Sequence, residues 1–175
     1  MTSRKEWLRR WWPAVVWAIV ISLFSTGAFT SEHTSRIIIP ILRWMFPNAT
    51  MQTLLLVHHY IRKSAHFTEY FILSLLFLRG IRGENRGTRL AWALLAIALV
   101  ACYAALDEFH QSFVPGRVAA VGDVMIDTSG GIAAQAIAAL VVMWGHIRQE
   151  RREKEAQARS EKEKPVPKNR DGLFS

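Results

Sequence analysis

Cysteine occurs once in the 175-residue chain, at Cys102, so no intramolecular disulfide forms. In the middle of an apolar stretch that thiol is most simply a small packing residue. CxxC and HExxH patterns are absent, as are internal repeats and any Gly-rich phosphate loop in strand-turn-helix context, which leaves the common redox, zinc-protease and nucleotide signatures unrepresented. Charge is missing over long distances. Trp11–Ser31 has no Asp, Glu, Lys or Arg over 21 residues, Leu90–Leu106 none over 17 and Thr128–Ile147 none over 20. About 20 apolar residues rising about 1.5 Å each cross a bilayer core, so all three stretches are candidate transmembrane helices.

A fourth candidate is interrupted by polar residues. In TLLLVHHYIRKSAHFTEYFILSLLFLRG the uncharged run from Tyr70 to Leu78 is too short, but extension back to Lys63 gives the necessary length and carries His66 and Glu69 to membrane depth. A charge there costs at least about 3 kcal/mol on insertion scales, so it is expected to face the bundle interior or a wet cavity. The expected fold is all-α: a polytopic transmembrane bundle of about four spans at 11–29, 63–79, 90–107 and 126–147. The apolar stretch 37–56 carries Arg43, Pro40 and Pro47 and is expected to be an outer or interfacial connector with one or two short helices.

The net charge of +8 suggests nucleic acid until its placement is considered. Arg4, Lys5, Arg9 and Arg10 precede the first span, Arg79, Arg82, Arg86 and Arg89 lie between spans two and three, and nine Lys/Arg occur in Arg148–Arg170. The outer loop before the fourth span has only Arg117. By the positive-inside rule, 1–10 is a cytoplasmic basic N-terminus, the 79–89 loop is cytoplasmic, and 148–175 is a charged cytoplasmic tail, a helical extension fraying into disorder. The 32–62 loop carries Arg36, Arg43 and Arg62 and weakens the bias without reversing it. Membrane lipids, not nucleic acid, are the expected partners. Thr26 and Ala28 offer a small-residue cleavage pattern, but the preceding apolar run exceeds the usual signal-peptide length of about 7–15 residues, so an uncut anchor is expected.

Within this scheme the polar residues meet at one membrane edge. His59, Lys63, His66 and Tyr70 share a helical stripe with Glu69 on its flank; Asp107, Glu108, His110 and Gln111 end the third span; Asp123 and Asp127, four apart, open the fourth. Pro115-Gly116 reverses the chain between the last two. The pattern gathers Lys63, His66, Glu69, Asp107, Glu108, Gln111, Arg117, Asp123 and Asp127 at the outer mouth of the bundle. The competing explanation is interfacial charge and helix capping, with Asp123 a natural N-cap and Asp107 ending its helix in water. It is weakest for His66 and Glu69, which cap nothing and resist burial. Gly130, Gly131 and the alanines at 133, 134, 136, 138 and 139 suit close helix packing in lipid.

The segments RKSAHFTEYFILSLL and LDEFHQSFVPGRVAAVGDVMIDTSGG, separated by a hydrophobic span, resemble the VanZ-like family of small bacterial membrane proteins, whose founding member is associated with teicoplanin resistance. The family's K-x-x-H-x-x-E-Y falls on Lys63, His66, Glu69 and Tyr70, its D-E-x-x-Q on Asp107, Glu108 and Gln111, its turn on Pro115, Gly116 and Arg117, and its D-x-x-x-D-x-x-G on Asp123, Asp127 and Gly130. The resemblance implies a multi-pass protein of the bacterial cytoplasmic membrane and supplies no reaction.

Two functional readings follow. In one, the polar mouth engages a lipid-linked cell-wall precursor or a lipoglycopeptide, with Lys63 and Arg117 holding phosphate or carboxylate and the acids accepting from sugar or peptide donors; the protein then contributes to glycopeptide resistance. In the other, His66, Glu69, Glu108, His110 and Asp127 supply donors for a metal-assisted intramembrane hydrolase or transferase acting on a lipid-linked substrate. The paired helix motif usual for bundle metal sites is lacking, so no metal or other cofactor is assigned. A cluster that only fixes helix register is the plain structural alternative.

Overall fold

Residues 4–25, 31–83, 89–113 and 120–163 are described in the computed structural model, and they form five helices with no strand among them. These are α1 (Arg4–Phe24), α2 (Ser31–Met45), α3 (Met51–Arg82), α4 (Leu90–Gln111) and α5 (Val121–Glu163). The fold is all-α. Thr26 and Ala28, the turn Pro115-Gly116 with Arg117, and the tail from 164 lie outside the described residues.

Local chemistry accounts for the boundaries. Thr50 caps α3, its hydroxyl oxygen accepting from the Thr53 N–H at 3.2 Å, and Gly83 ends α3 with a left-handed φ of 61° that a side chain would resist. α3 therefore starts well before position 63, and Pro40 lies within α2 while Pro47 falls between α2 and α3. α4 is built from Ala and Leu with no Gly or Pro, the composition most favourable to helix. The charged segment following Arg148 is helical as far as Glu163.

Among the described residues two helices are long and apolar enough to cross a membrane: α4, with an 18-residue window of mean hydropathy 2.1, and Val121–Arg159 of α5, with one of 1.5. α1 carries Arg9 and Arg10, and α3 carries Arg62, Lys63 and Glu69. Pro13 removes one hydrogen bond inside α1, a loss that neighbouring helices can absorb.

The chain divides into two units, Met1–Ala139 and Leu140–Ser175. In the first, side-chain contacts fix helix directions. Trp11 packs on Phe77 with ring centroids 6.3 Å apart, while the Trp17 indole N–H donates to the Glu69 carbonyl at 2.9 Å, so α1 and α3 are antiparallel. Tyr103 donates to Ala18 O and Ser25 donates to Asp107, so α1 and α4 are parallel. Lys63 meets Asp123 and Ser74 meets Gln135, so the start of α5 runs parallel to α3. α1, α3, α4 and the first part of α5 thus alternate in direction.

Their surface is inverted relative to that of a water-soluble bundle. Trp12, Val15, Ile19 and Leu23 on α1, Leu94, Leu95 and Leu106 on α4, and Ile132 and Ile137 on α5 are exposed, whereas Ser74, Asp107, Gln111, Asp127 and Gln135 are buried. α3 is the central element. Tyr70 and Leu73 on it form the core with Ile21, Val100 and Ala104, flanked by Trp17, Phe77, Tyr103 and Val124. In the second unit the described residues are helical, and Arg148 lies over the Trp144 ring at 3.6 Å.

Candidate functional site

The polar site is assembled at the end of the first unit where α1 and α4 finish and α5 begins. Asp107 organises it. Its Oδ2 accepts from the Ser25 hydroxyl at 2.6 Å, the Gln111 amide at 2.7 Å and, at a longer 3.4 Å, the Tyr70 hydroxyl. The Gln111 amide also donates to Ser25 Oγ at 3.1 Å, closing a small ring of donors. Gln111 reaches Asp107 because the two are four apart on α4, and Ser25 arrives because the last turn of α1 lies alongside. Asp107 does not end its helix in water.

α3 brings a second group to the same place. His66 Nδ1 lies 3.7 Å from Glu69 Oε2 on its own helix and 4.0 Å from Asp127 Oδ1 on α5. Asp127 is 5% exposed, and its Oδ1 is buried with no hydrogen-bond partner among the described residues. Glu69, Asp107 and Asp127 are near enough to repel one another, and Asp123 and Glu108 add to the negative field at Asp127.

The remaining expected residues take other positions. Lys63 donates to Asp123 at 3.0 Å in a half-exposed ion pair, so Lys63, one of the two cations expected to hold a ligand's phosphate, already has an acid; Arg117, the other, is outside the described residues. Asp123 is not the cap: α5 starts at Val121, with Asp123 in the first turn, where a carboxylate is favoured by the helix dipole. Glu108 is buried and accepts from the Ala120 N–H at 2.6 Å, tying the end of α4 to the entry of α5. His59 and His110 are exposed. His110 borders a different groove, shared with Ser22 and Tyr103.

Of the five donors considered for a metal, His66, Glu69 and Asp127 lie together, while Glu108 is taken up by the Ala120 N–H and His110 borders another groove. Among the described residues no three His, Cys, Asp or Glu side chains form a group able to hold a metal ion.

Glu69 also faces outward. With Trp17, Ile61, Ser64, Ala65, Thr68 and Ile72 it lines an open groove of about 410 Å³ between α1 and α3, apolar except for Glu69 and two hydroxyls. Glu69 thus borders both the buried polar site and an apolar cleft on the bundle surface.

The family model described as VanZ/LLP1 matches residues 11–142, from Trp11 in α1 onward through the site and into α5. The chain belongs to the VanZ/LLP1 family. It is a membrane protein on that ground and on its two long apolar helices. No curated protein and no solved structure matches it.

The sequence pattern passed over several residues of this VanZ/LLP1 site. Ser25 gives no signal, being a small hydroxyl at the end of an uncharged run. Trp17 looks like any interfacial indole until its N–H is seen on the Glu69 carbonyl. Deeper in the bundle Gln135 donates to Ser74 Oγ at 2.8 Å, and Ser74 to Gly131 O at 3.0 Å. A signal for this pair was present: His66, Tyr70 and Ser74 are four apart on α3, and Asp127, Gly131 and Gln135 are four apart on α5.

Proposed function

We propose that this VanZ/LLP1 protein crosses the bacterial cytoplasmic membrane four times, at about 11–29, 63–79, 90–107 and 126–147, with both termini in the cytoplasm. Its polar end lies at the outer leaflet and engages a lipid-linked envelope molecule or a lipoglycopeptide, contributing to glycopeptide (teicoplanin) tolerance. The alternating directions of α1, α3, α4 and the start of α5 support the span count, and the Lys/Arg distribution supports the orientation.

The observation that carries the ligand assignment is Glu69, shared by the buried site and the apolar groove. A molecule with a hydrocarbon chain and a polar head fits that junction. The chain lies against Trp17, Ile61, Ala65 and Ile72, and the head turns inward past Glu69 toward His66, Asp127 and Asp107. A metal-assisted reaction is not advanced, since Glu108 and His110 do not join His66, Glu69 and Asp127.

The test is the teicoplanin tolerance of a strain expressing the protein, compared with the same strain expressing a Glu69→Gln, Asp107→Asn double variant at equal membrane abundance. The expected result is a fall in tolerance to that of the non-expressing strain. Unchanged tolerance with a normally inserted double variant contradicts the reading.

A further inference from the structure

We infer that the head group taken by this site is a primary ammonium carried on an apolar chain; the inference rests on the lipid-linked reading and narrows it. The first ground is sign. Glu69 and Asp127 flank the His66 imidazole, Asp107 lies close enough to repel both, and among the described ion pairs no Lys or Arg reaches any of the three, Lys63 being held by Asp123. Buried carboxylates are costly without compensating charge, and beyond His66 the described ion pairs bring none to them, so a cationic guest is favoured.

The second ground is an open valence. Asp127 Oδ1 is buried, lacks a hydrogen bond among the described residues, and faces His66 Nδ1 at 4.0 Å, beyond hydrogen-bond reach. In its ionised form that carboxylate only accepts, and a cation that holds it in that form completes it by donating. A phosphate or carboxylate head brings further acceptors and like charge. A neutral hydroxyl donates once and leaves the charge in place. A primary ammonium brings three N–H donors and one positive charge on a compact centre.

The third ground is access. The apolar groove of Trp17, Ile61, Ala65 and Ile72 ends on Glu69, giving an alkyl chain a place outside the bundle while its head passes inward. The described acids do not group as metal ligands, which favours an organic cation over a divalent ion.

The experiment uses the full-length protein purified in mild detergent, with thermal unfolding followed in the presence of dodecylamine, dodecyltrimethylammonium or dodecyl phosphate. Dodecylamine is expected to raise Tm by about 3–6 °C near saturation, dodecyltrimethylammonium by less than half of that because it has no N–H, and dodecyl phosphate not at all. Asp127→Asn and, separately, Glu69→Gln are expected to weaken the dodecylamine response at least tenfold in apparent affinity. Ser129→Ala, on the exposed side of α5, leaves it unchanged. Equal shifts from the two amines, or a shift from dodecyl phosphate alone, overturn the ammonium assignment and leave the lipid-linked reading standing. No shift from any compound, while the double variant still loses tolerance in cells, also overturns the ammonium assignment alone; absence of both effects overturns the two together.

Discussion

At the scale of single residues, Asp107 and Asp123 show how differently two carboxylates of one cluster contribute. Asp107 is 7% exposed and gathers Ser25, Gln111 and Tyr70 on one oxygen. Asp107→Ala strands those donors in the interior and is expected to cost about 3 kcal/mol, read as a lowered midpoint of thermal or denaturant unfolding in detergent. Asp123→Ala breaks a pair whose side chains are 32% and 49% exposed, and a change of less than about 1 kcal/mol is expected. Equal losses from the two substitutions would contradict this division. His66 and Glu69 were legible in the sequence because ionisable side chains expected at membrane depth need a reason to be there, and Asp127 because it lies four residues from Asp123 at the same expected edge. Ser25 was not, since a serine next to an apolar run carries no such penalty. His58 and His59 are adjacent and chemically identical, and only helix phase decides that His58 is buried and His59 exposed.

At the scale of helices, close approach and burial decide which contacts matter. A Cβ on Gly130 would collide with the backbone carbonyl of Phe67, which cannot swing aside as a side chain can, whereas one on Gly122 meets nothing within 4 Å. Gly130→Ala is expected to destabilise by about 1–3 kcal/mol through the α3 to α5 contact. Gly122→Ala, in the first turn of the same helix, is neutral or mildly stabilising. Unfolding midpoints of the pair check the contrast, and a stable Gly130→Ala protein would deny the close approach.

His58 is buried in the first third of α3, the helix on which α2 packs. Burial, then the charge of Arg62, then His59 lower its pKa below the ordinary 6.5. A histidine held neutral by the fold contributes stability that is present above pH 6.5 and lost as pH falls through the lowered folded value. Protection of α2 amides from hydrogen exchange is expected to weaken on acidification below about pH 6.5 in the wild type, and His58→Leu is expected to flatten that dependence. An identical acid response in both proteins would remove His58 from the account. The length of α3 was only partly legible, because Arg62 and Lys63 interrupt its apolar pattern although Thr50 supplies an ordinary cap.

At the scale of the whole molecule, the all-α class followed from three long uncharged stretches and a fourth with polar inserts, since hydrogen-bonding demand in lipid leaves helices as the natural solution. The approach of His66 and Glu69 to Asp107, Gln111 and Asp127 followed from helical spacing and from their arriving at one end of the bundle, whereas Lys63 is taken by Asp123. The groove could not be read that way. It depends on how α1 tilts across α3, fixed by the Trp17 indole on the Glu69 carbonyl and by Trp11 over Gly80, and neither contact has a sequence period. The account therefore turns on whether that groove holds an envelope molecule in the cell. A photoreactive p-benzoylphenylalanine at Ala65, inside the groove, compared with one at the exposed Leu95 of α4, tests it by mass spectrometry of the adducts formed in intact cells. The account predicts a lipid-linked envelope molecule captured at position 65, lost when Glu69→Gln is added, and only bulk phospholipid captured at 95. Bulk phospholipid alone at both positions would contradict it.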